Sequence, residues 1–372
     1  MITLIVLQLY IIAFITLIFV IIKLIKAYKL RFDSQTLPEL DDAPTISVCI
    51  AARNEMHSMS SCLESVLASD YPKLEVLVLD DNSTDKTPNI VRAFAHAGVR
   101  FIPGDDLPDG WLGRNFALET LLDEASGKYV LFLDVDARLK PGTIGLMIRQ
   151  LLSKDSQMMT VVPQRSDMWR SSAWFGTLRY FWEIIFNSPR TPGVSSSAWL
   201  INRQVLQTEL GGIGRWRDMV QPEQGIAKVL SPEKYQLIIS TSEFGLTYEK
   251  KWLSQLASSR RVLLPRFGNS VTNAMVGVGL LASIVLPQVV FVLSLVSGLT
   301  AELFWGAVLI GMLSIFCSLL YYRLVWSRGW IYSPVVATYA AWQELFILAS
   351  SIIAYHRGTV IWKDRPVARA EK

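Results

Sequence analysis

The sequence of 372 residues has few of the side chains that build disulfide scaffolds and transition-metal sites. It contains three cysteines and three histidines. The cysteines, Cys49, Cys62 and Cys317, form no CxxC pair, which argues against a disulfide framework or a zinc site and favours a reducing compartment. The three histidines leave little material for histidine-based metal chemistry.

Charged residues are also scarce. They make up 18% of the chain, below the roughly 25% of ordinary soluble domains, whereas 51% of the residues are hydrophobic. This composition excludes both a single water-soluble globule and a disordered chain. The net charge of +4 is too small to suggest nucleic-acid binding, and no basic run with interleaved aromatic residues occurs.

Glycine-rich phosphate cradles are absent as well. The sequence contains neither the GxGxxG of dinucleotide-binding folds nor the GxxxxGK[ST] of P-loops. Phosphate groups, if the protein binds them, are therefore expected to be held by a metal ion and basic side chains.

The hydrophobic residues concentrate at the two ends of the chain. Residues 2–22 form an almost unbroken apolar run, long enough to cross a bilayer of about 30 Å as a helix. Lys23, Lys26, Lys29 and Arg31 follow this run. Basic residues after a long apolar run predict a signal anchor with this end in the cytoplasm, and not a cleaved signal peptide.

A second apolar zone near the C-terminus contains three candidate spans, 271–296, 307–321 and 332–354. One span plus these three would place the basic tail opposite the basic segment after the first helix, against the positive-inside rule. The third span also contains Glu344. We therefore expect that this third segment is re-entrant or interfacial, leaving one N-terminal and two to three C-terminal transmembrane helices.

Between these zones, short β-branched runs alternate with stretches of helical spacing. Strands are predicted at 46–50, 76–79, 129–133 and 159–162, and helices at 60–68, 88–97 and 115–124. This alternation predicts an α/β domain with a parallel sheet covered on both faces. The predicted organisation is an anchor (1–26), a linker (27–43), the α/β domain (44–268), a membrane segment (269–356) and a basic tail (357–372).

Polar side chains follow three of the predicted strands. Arg53 and Glu55 follow the first, Asp81 the second, and Asp134 and Asp136 the third. Ligands of open α/β sheets bind beyond the carboxyl ends of the strands. Crowded carboxylates need compensation by a cation or by ligand donors, and oxygen ligands suit Mg²⁺ or Mn²⁺.

Four blocks in order resemble those of the family 2 glycosyltransferases. They are SVCIAARNE at 47–55, DDNSTD at 80–85, GRNFAL at 113–118 and LFLDVD at 131–136. The resemblance covers roughly residues 45–230. It implies a GT-A fold, a nucleotide-diphospho-sugar donor and a divalent metal cofactor, Mg²⁺ or Mn²⁺.

The resemblance also implies roles for individual residues at the strand ends. Ala51, Arg53 and Glu55 would line the nucleotide pocket, and Asp81 would accept a hydrogen bond from the base. Arg114 and Asn115 would lie by the ribose and diphosphate. Asp134 and Asp136 would form the DxD element. Asp136 is expected to bind the metal ion directly. Such a metal ion neutralises the diphosphate leaving group.

An inverting transferase also needs a general base for the acceptor hydroxyl. In the family this base is an acidic residue of an ED-type block, and Pro222-Glu223 stands in that place here. Glu223 is therefore the predicted base and Asp218 the alternative. The usual aspartate is replaced by glutamate, and Pro222 is expected to start a helix, so the alternative to a base is that Glu223 is merely a first-turn helix acid.

The aromatic and apolar segments of the sequence indicate which class of acceptor the enzyme uses. Residues 169–186 are rich in aromatic side chains with two arginines, typical of an interfacial helix that meets lipid or of a helix buried against the domain. The loop 107–115 resembles that of carotenoid- and hopanoid-associated membrane transferases, and the tail 357–363 resembles that of the carotenoid-type enzymes. These features predict a multi-pass plasma-membrane enzyme with a cytoplasmic domain that transfers one sugar to an isoprenoid, carotenoid, hopanoid or glycerolipid acceptor.

Two alternatives remain. Processive polysaccharide synthases carry a QxxRW element, for which Tyr248 to Trp252 is the nearest stretch; it has Lys251 in place of arginine and lacks the glutamine. Lysine lacks the planar fork of arginine, which disfavours this function. The second alternative is a non-catalytic membrane scaffold that keeps the sugar-nucleotide fold, supported by the glutamate in the base block.

Overall fold

The computed structural model describes residues 2–33, 37–39, 42–166, 178, 180–297, 301–326, 330–363 and 365–367. The α-helices in these residues are α1 (Ile2–Ala27), α2 (Met59–Leu67), α3 (Thr87–Ala93), α4 (Gly113–Glu124), α5 (Thr143–Ser153), α6 (Phe181–Ile185), α7 (Pro222–Val229), α8 (Trp252–Arg266), α9 (Val271–Ser297), α10 (Ala301–Val325) and α11 (Ser333–His356). The strands are β1 (Ile46–Ala52), β2 (Leu74–Asp80), β3 (Val99–Pro103), β4 (Tyr129–Leu133), β5 (Ala137–Arg138), β6 (Met158–Val162), β7 (Gln164–Arg165), β8 (Ala198–Asn202), β9 (Tyr235–Ile239), β10 (Thr247–Tyr248), β11 (Ile361–Trp362) and β12 (Arg365–Pro366).

A seven-stranded sheet with the order β3-β2-β1-β4-β8-β6-β9 forms the centre of the protein. Its pairs are parallel except that β8 runs antiparallel to both of its neighbours. The central strands β1 and β4 are continuous apolar runs, as expected of strands buried on both faces. The predicted α/β fold with a mostly parallel sheet flanked by helices is confirmed.

Three strands of this sheet were not predicted from the sequence. β3 is a partly exposed edge strand with little apolar patterning. β8 follows three serines, and β9 contains the polar Tyr235 and Gln236. Their positions depend on pairing with distant strands, which a local pattern does not reveal.

The helices outside the α/β domain pack into a second apolar core. Two helical stretches in the described residues, Leu4–Leu30 and Leu303–Val325, are long and apolar enough to cross a membrane, and Val271–Ser283 is a shorter apolar stretch. The end of α1 is tied to the domain, because the Phe32 amide donates to the Ile239 carbonyl at 3.0 Å at the open edge of β9. The N-terminal helix and the sheet are thus joined directly.

Helix α11 runs alongside α8 and contacts the α/β domain at several points. Glu344 accepts hydrogen bonds from the Trp182 indole at 2.8 Å and the Leu178 amide at 3.3 Å. Ser351 and Tyr355 each donate to a carbonyl of α8 at 2.6 Å. The polar residues of this third C-terminal segment therefore have partners in the folded domain.

The aromatic stretch at 169–186 lies largely outside the described residues, including Trp169, Trp174 and Arg179 among the residues noted in the sequence. Its described C-terminal part is buried, with Phe181 and Trp182 packed in the core that α1, α9 and α10 share. The structure therefore shows α6 as a buried helix that packs against the helical bundle.

Candidate active site at the carboxyl ends of the strands

A cavity of about 630 Å³ lies beyond the carboxyl ends of β1 and β4. From the strand ends it is lined by Ala51, Arg53, Glu55, Asp134 and Asp136. The cavity wall also includes Arg114 at the start of α4, the segment 249–251 and residues of α8. The predicted residues after β1 and β4 therefore meet in one place, as the geometry of a parallel sheet requires. Asp81, which follows β2, is not among the residues that line this cavity.

The loops after β1 and β2 are held against each other by hydrogen bonds. The Asp81 amide donates to the Ala52 carbonyl at 2.8 Å, and the Thr84 amide donates to Asn54 Oδ1 at 2.8 Å. Asn54 and Asn82 both have a φ of 52°, a left-handed conformation that asparagine tolerates better than most residues. These paired turns fix the position of the side chains that follow each strand.

The DxD segment forms a tight turn after β4. The Asp134 amide donates to the Ser197 carbonyl at 2.9 Å, and the Ala137 amide donates back to the Asp134 carbonyl at 2.9 Å. The Asp136 carboxylate lies 3.0 Å from Lys250 Nζ and accepts a hydrogen bond from Ser58 at 3.4 Å. The lysine belongs to the segment that stands in place of the QxxRW element.

Asp134 and Asp136 fit a hard divalent cation that is only partly enclosed by protein. Across the described ranges, no group of three or more His, Cys, Asp or Glu side chains is arranged to hold a metal ion. The two carboxylates face a cavity that is open to a ligand, so diphosphate oxygens and water would complete the coordination shell. Lys250 already neutralises Asp136, and a cation bound there would compete with it.

Glu223 lies in the first turn of α7 and is completely buried, with 0% of its surface exposed. Its carboxylate accepts a hydrogen bond from Ser196 and lies 3.5 Å from Arg114 Nη1. Ser196 and Arg114 both line the cavity, so the carboxylate lies directly behind its wall. Asp218 is exposed and is not among the residues that line this cavity.

Asn115 is turned away from the main cavity. Its side-chain amide donates to the carbonyls of Trp216, Arg217 and Met219 at 3.0, 3.1 and 2.7 Å. These contacts fasten the first turn of α4 to the loop that leads into α7. Asn115 therefore helps to hold Arg114 and Glu223 near each other.

Two carboxylates of the site are strongly desolvated. Burial raises the pKa of Asp81, and the neighbouring Arg365 and Arg53 partly offset this effect. Burial likewise raises the pKa of Glu55, and Lys363 offsets it in part. Two of the three offsetting partners, Arg365 and Lys363, belong to the C-terminal tail.

The structure adds residues that sequence reasoning missed. Lys250 and Ser196 contact the candidate metal ligand and the candidate base. A buried ion pair joins Glu183 to Arg266, whose guanidinium also donates to Gln221 at 2.9 Å, just before α7. Only Lys250 had a sequence signal, because it lies in the stretch nearest to the QxxRW element.

Comparison with known proteins gives a family for this site. Residues 47–209 match the profile of the family described as glycosyl transferase family 2. The chain carries a family 2 glycosyltransferase domain. This domain supplies β1, β2, β4 and the DxD turn, while Glu223, Lys250 and the C-terminal tail lie beyond the matched residues.

Each curated relative of the family 2 domain matches this chain over only part of the relative's own length. The succinoglycan biosynthesis protein ExoO of Rhizobium meliloti is 30% identical over 121 residues, covering 32% of this chain and 34% of that protein. A 4,4'-diaponeurosporenoate glycosyltransferase of Staphylococcus haemolyticus is 31% identical over 114 residues, covering 31% and 29%. The chain thus spans about a third of the length of these relatives.

A solved structure resembles nearly the whole chain. The mannosyltransferase PcManGT from Pyrobaculum calidifontis, solved with GDP-Man and Mn²⁺, has a TM-score of 0.58 and 16% sequence identity. The similarity covers 93% of this chain and 99% of that one. It confirms the GT-A fold expected for the family 2 domain.

Proposed function

We propose that the protein is a membrane-bound inverting glycosyltransferase that moves one sugar from a nucleotide-diphospho-sugar to a lipid at the cytoplasmic leaflet of the plasma membrane. The observation that carries this proposal is the composition of one cavity. Asp134 and Asp136 face it, Arg114 lines it, and the buried carboxylate of Glu223 lies behind it. These are the charges needed to hold a diphosphate and to accept a proton.

The proposed reaction uses these side chains in a single displacement. Glu223 takes the proton of the acceptor hydroxyl, whose oxygen attacks the anomeric carbon while the bond to the diphosphate oxygen breaks. The nucleoside diphosphate leaves with the electron pair, and Arg114 offsets part of its charge. A divalent cation held by Asp134 and Asp136 would neutralise the remaining charge on the leaving group.

A lipid acceptor is supported by the surroundings of the cavity. Trp182 and Glu344 line it, and both belong to helices that pack with the apolar helices α1, α9 and α10. The catalytic groups therefore lie next to the helical bundle. Relatives of the family 2 domain include a diaponeurosporenoate glycosyltransferase and a diphosphoundecaprenol glucosyltransferase, whose names specify lipid acceptors.

One observation favours the non-catalytic alternative. Lys250 lies 3.0 Å from Asp136, so a fixed cation already neutralises the carboxylate that a metal ion would use. A scaffold that retains the sugar-nucleotide fold without catalysis is expected to have a lysine in place of the metal ion in this way. The complete burial of Glu223 with a cationic neighbour argues for retained catalysis, since a buried carboxylate is costly to keep without a role.

A panel of UDP- and GDP-sugars tests this proposal. Each donor is incubated with the purified full-length protein, a membrane lipid extract and Mn²⁺ or Mg²⁺, and products are identified by mass spectrometry. We expect one lipid product that carries a single added sugar. A ladder of added sugars would instead support a processive synthase, and no metal-dependent transfer or hydrolysis with any donor would support the scaffold.

A further inference from the structure

The C-terminal hairpin β11–β12 lies against the loops after β1 and β2, although it follows the helical segment and is outside the matched family 2 residues. Lys363 Nζ is 2.9 Å from a carboxylate oxygen of Glu55 and donates to the Asn54 carbonyl at 3.1 Å. In return, Arg53 Nε donates to the Lys363 carbonyl at 3.0 Å. The tip of the hairpin is thus bound to the loop after β1.

The second strand of the hairpin reaches the loop after β2. Arg365 Nη1 lies 2.8 and 3.0 Å from the two carboxylate oxygens of Asp81, a residue with only 4% of its surface exposed. A Cβ added at Gly113 would lie 2.7 Å from the same nitrogen. The guanidinium therefore fits between Asp81 and the start of α4 because position 113 has no side chain.

The hairpin is anchored and is not a loose tail. The Val367 amide donates to the Val360 carbonyl at 2.8 Å and closes its base. Both valines are buried in the core that the helical bundle shares. The segment is thus fixed at its base by packing and at its tip by hydrogen bonds, and its residues Ile361 and Lys363 line the cavity.

We propose that this hairpin is part of the donor site, with Lys363 binding the diphosphate of a nucleoside-diphosphate donor and Arg365 positioning Asp81 toward the base. The proposal rests on the proposed function, because it takes the cavity as the donor site. Lys363 lines that cavity together with Asp134 and Asp136, and it adds positive charge where no glycine-rich cradle exists.

Asp81 keeps the capacity to bind a base while it is held by Arg365. An ionised carboxylate offers about four acceptor positions on its two oxygens. The contacts to Arg365 Nη1 use one position on each oxygen. Arg365 therefore fixes the orientation of the carboxylate and leaves one acceptor position on each oxygen for an N–H group of a base.

Equilibrium binding to the purified full-length protein tests the proposal. UDP and GDP are titrated with Mn²⁺, and uridine and guanosine are measured as competitors. Lys363→Ala should weaken diphosphate binding about tenfold and leave nucleoside binding unchanged, because its partner is the diphosphate. Arg365→Ala should weaken nucleotide and nucleoside about equally, because the base loses an oriented Asp81. A tenfold change corresponds to about 1.4 kcal/mol.

Three further variants serve as controls. Lys363→Arg and Arg365→Lys keep the charge and should restore most of the affinity. Arg357→Ala removes an exposed charge just after α11 from the same tail and should bind like the wild type. A general loss of folding would lower nucleotide and nucleoside binding together in Lys363→Ala as well, so the nucleoside measurement on that variant separates the two causes.

The outcomes are distinct. Tighter nucleotide binding by Lys363→Ala or Arg365→Ala would show that the hairpin obstructs the pocket, and unchanged binding by both would place it outside the donor site. Either result overturns the proposal while leaving the proposed function intact. A wild-type protein that binds no nucleotide would refute the proposed function as well.

Discussion

Glu223 is completely buried and still lies beside the candidate active site. Its carboxylate has no exposed surface, yet its two polar neighbours, Ser196 and Arg114, face the cavity. Arg114 offsets the cost of burying the negative charge.

The first prediction concerns this carboxylate. Glu223→Gln keeps the size and the hydrogen bond to Ser196 but cannot accept a proton. We expect sugar transfer to fall by about 10² to 10⁴, the range typical of a lost general base, while the Kd for UDP or GDP changes little. Radiolabelled transfer and equilibrium binding on the same preparation measure both quantities.

Asp218→Asn is the matched control for this prediction. Asp218 is exposed and lies outside the cavity lining, so its variant should transfer sugar at the wild-type rate. Near-normal transfer by Glu223→Gln would remove Glu223 from the mechanism. Loss of transfer in Asp218→Asn alone would assign the base to Asp218.

The second prediction concerns competition at Asp136. Because Lys250 Nζ lies 3.0 Å from this carboxylate, Lys250→Gln should free it and tighten Mn²⁺ binding several-fold in the presence of UDP. Mn²⁺ titration followed by electron paramagnetic resonance measures the free metal directly and needs no turnover.

Two variants define the limits of this effect. Lys251→Gln removes a charge from the next residue in the same cavity wall and should change Mn²⁺ affinity less. Asp136→Asn should weaken Mn²⁺ binding strongly. Weaker binding by Lys250→Gln would mean that the lysine supports the metal site by holding the diphosphate and does not compete for it.

Candidate site residues that directly follow a strand could be predicted from the sequence. Those that come from distant parts of the chain could not. Arg53, Asp81 and Asp136 could be predicted because each directly follows a recognisable apolar run. Lys363 contacts Glu55 across more than three hundred residues of sequence, and no local pattern reports such a contact. Asn115 was predicted to lie by the ribose and diphosphate, but its side chain is turned toward the loop before α7, whose fold no local pattern reports.

Helix α7 is positioned by close packing against the preceding loop. Gly225 faces the Trp216 indole, and a Cβ at Gly225 would lie only 2.2 Å from Trp216 Cδ1. The carbonyl of Trp216 accepts one of the hydrogen bonds from Asn115. The glycine therefore lets α7, the loop and α4 approach each other, and this sets the position of Glu223.

The third prediction follows from this packing. Gly225→Ala should lower the free energy of unfolding by about 1–3 kcal/mol, because the buried indole must move to make room for the methyl group. Gly145→Ala is a matched control in α5, where the added Cβ meets only Tyr71 at 3.9 Å. That variant should gain stability, since alanine favours a helix over glycine by about 1 kcal/mol.

Thermal or denaturant unfolding of the detergent-solubilised protein measures both variants. Opposite signs for the two substitutions would confirm that close contact dominates at Gly225. Equal stabilisation would mean that Trp216 rearranges freely and that the spacing of α7 is set elsewhere.

At the scale of the whole molecule, three helices of the bundle, α1, α10 and α11, are each followed by a segment that contacts the α/β domain. Phe32 after α1 pairs with β9, Trp326 after α10 forms a bridge with Arg165 in β7, and the hairpin after α11 contacts the strand ends. The sequence led to the expectation that the third C-terminal segment does not cross the membrane. Helix α11 packs along α8, and its topology stays a prediction.

The fourth prediction tests this topology with single cysteines in sealed membrane vesicles of known orientation. Lys29→Cys and Arg357→Cys, both at exposed positions, should react with a membrane-impermeant maleimide from the cytoplasmic side. Ala301→Cys, exposed at the start of α10, should react from the opposite side. The three native cysteines are buried, so they contribute little background. Labelling of positions 29 and 357 from opposite sides would mean that α11 crosses the membrane, and the hairpin could then not reach the donor site of the same cytoplasmic domain.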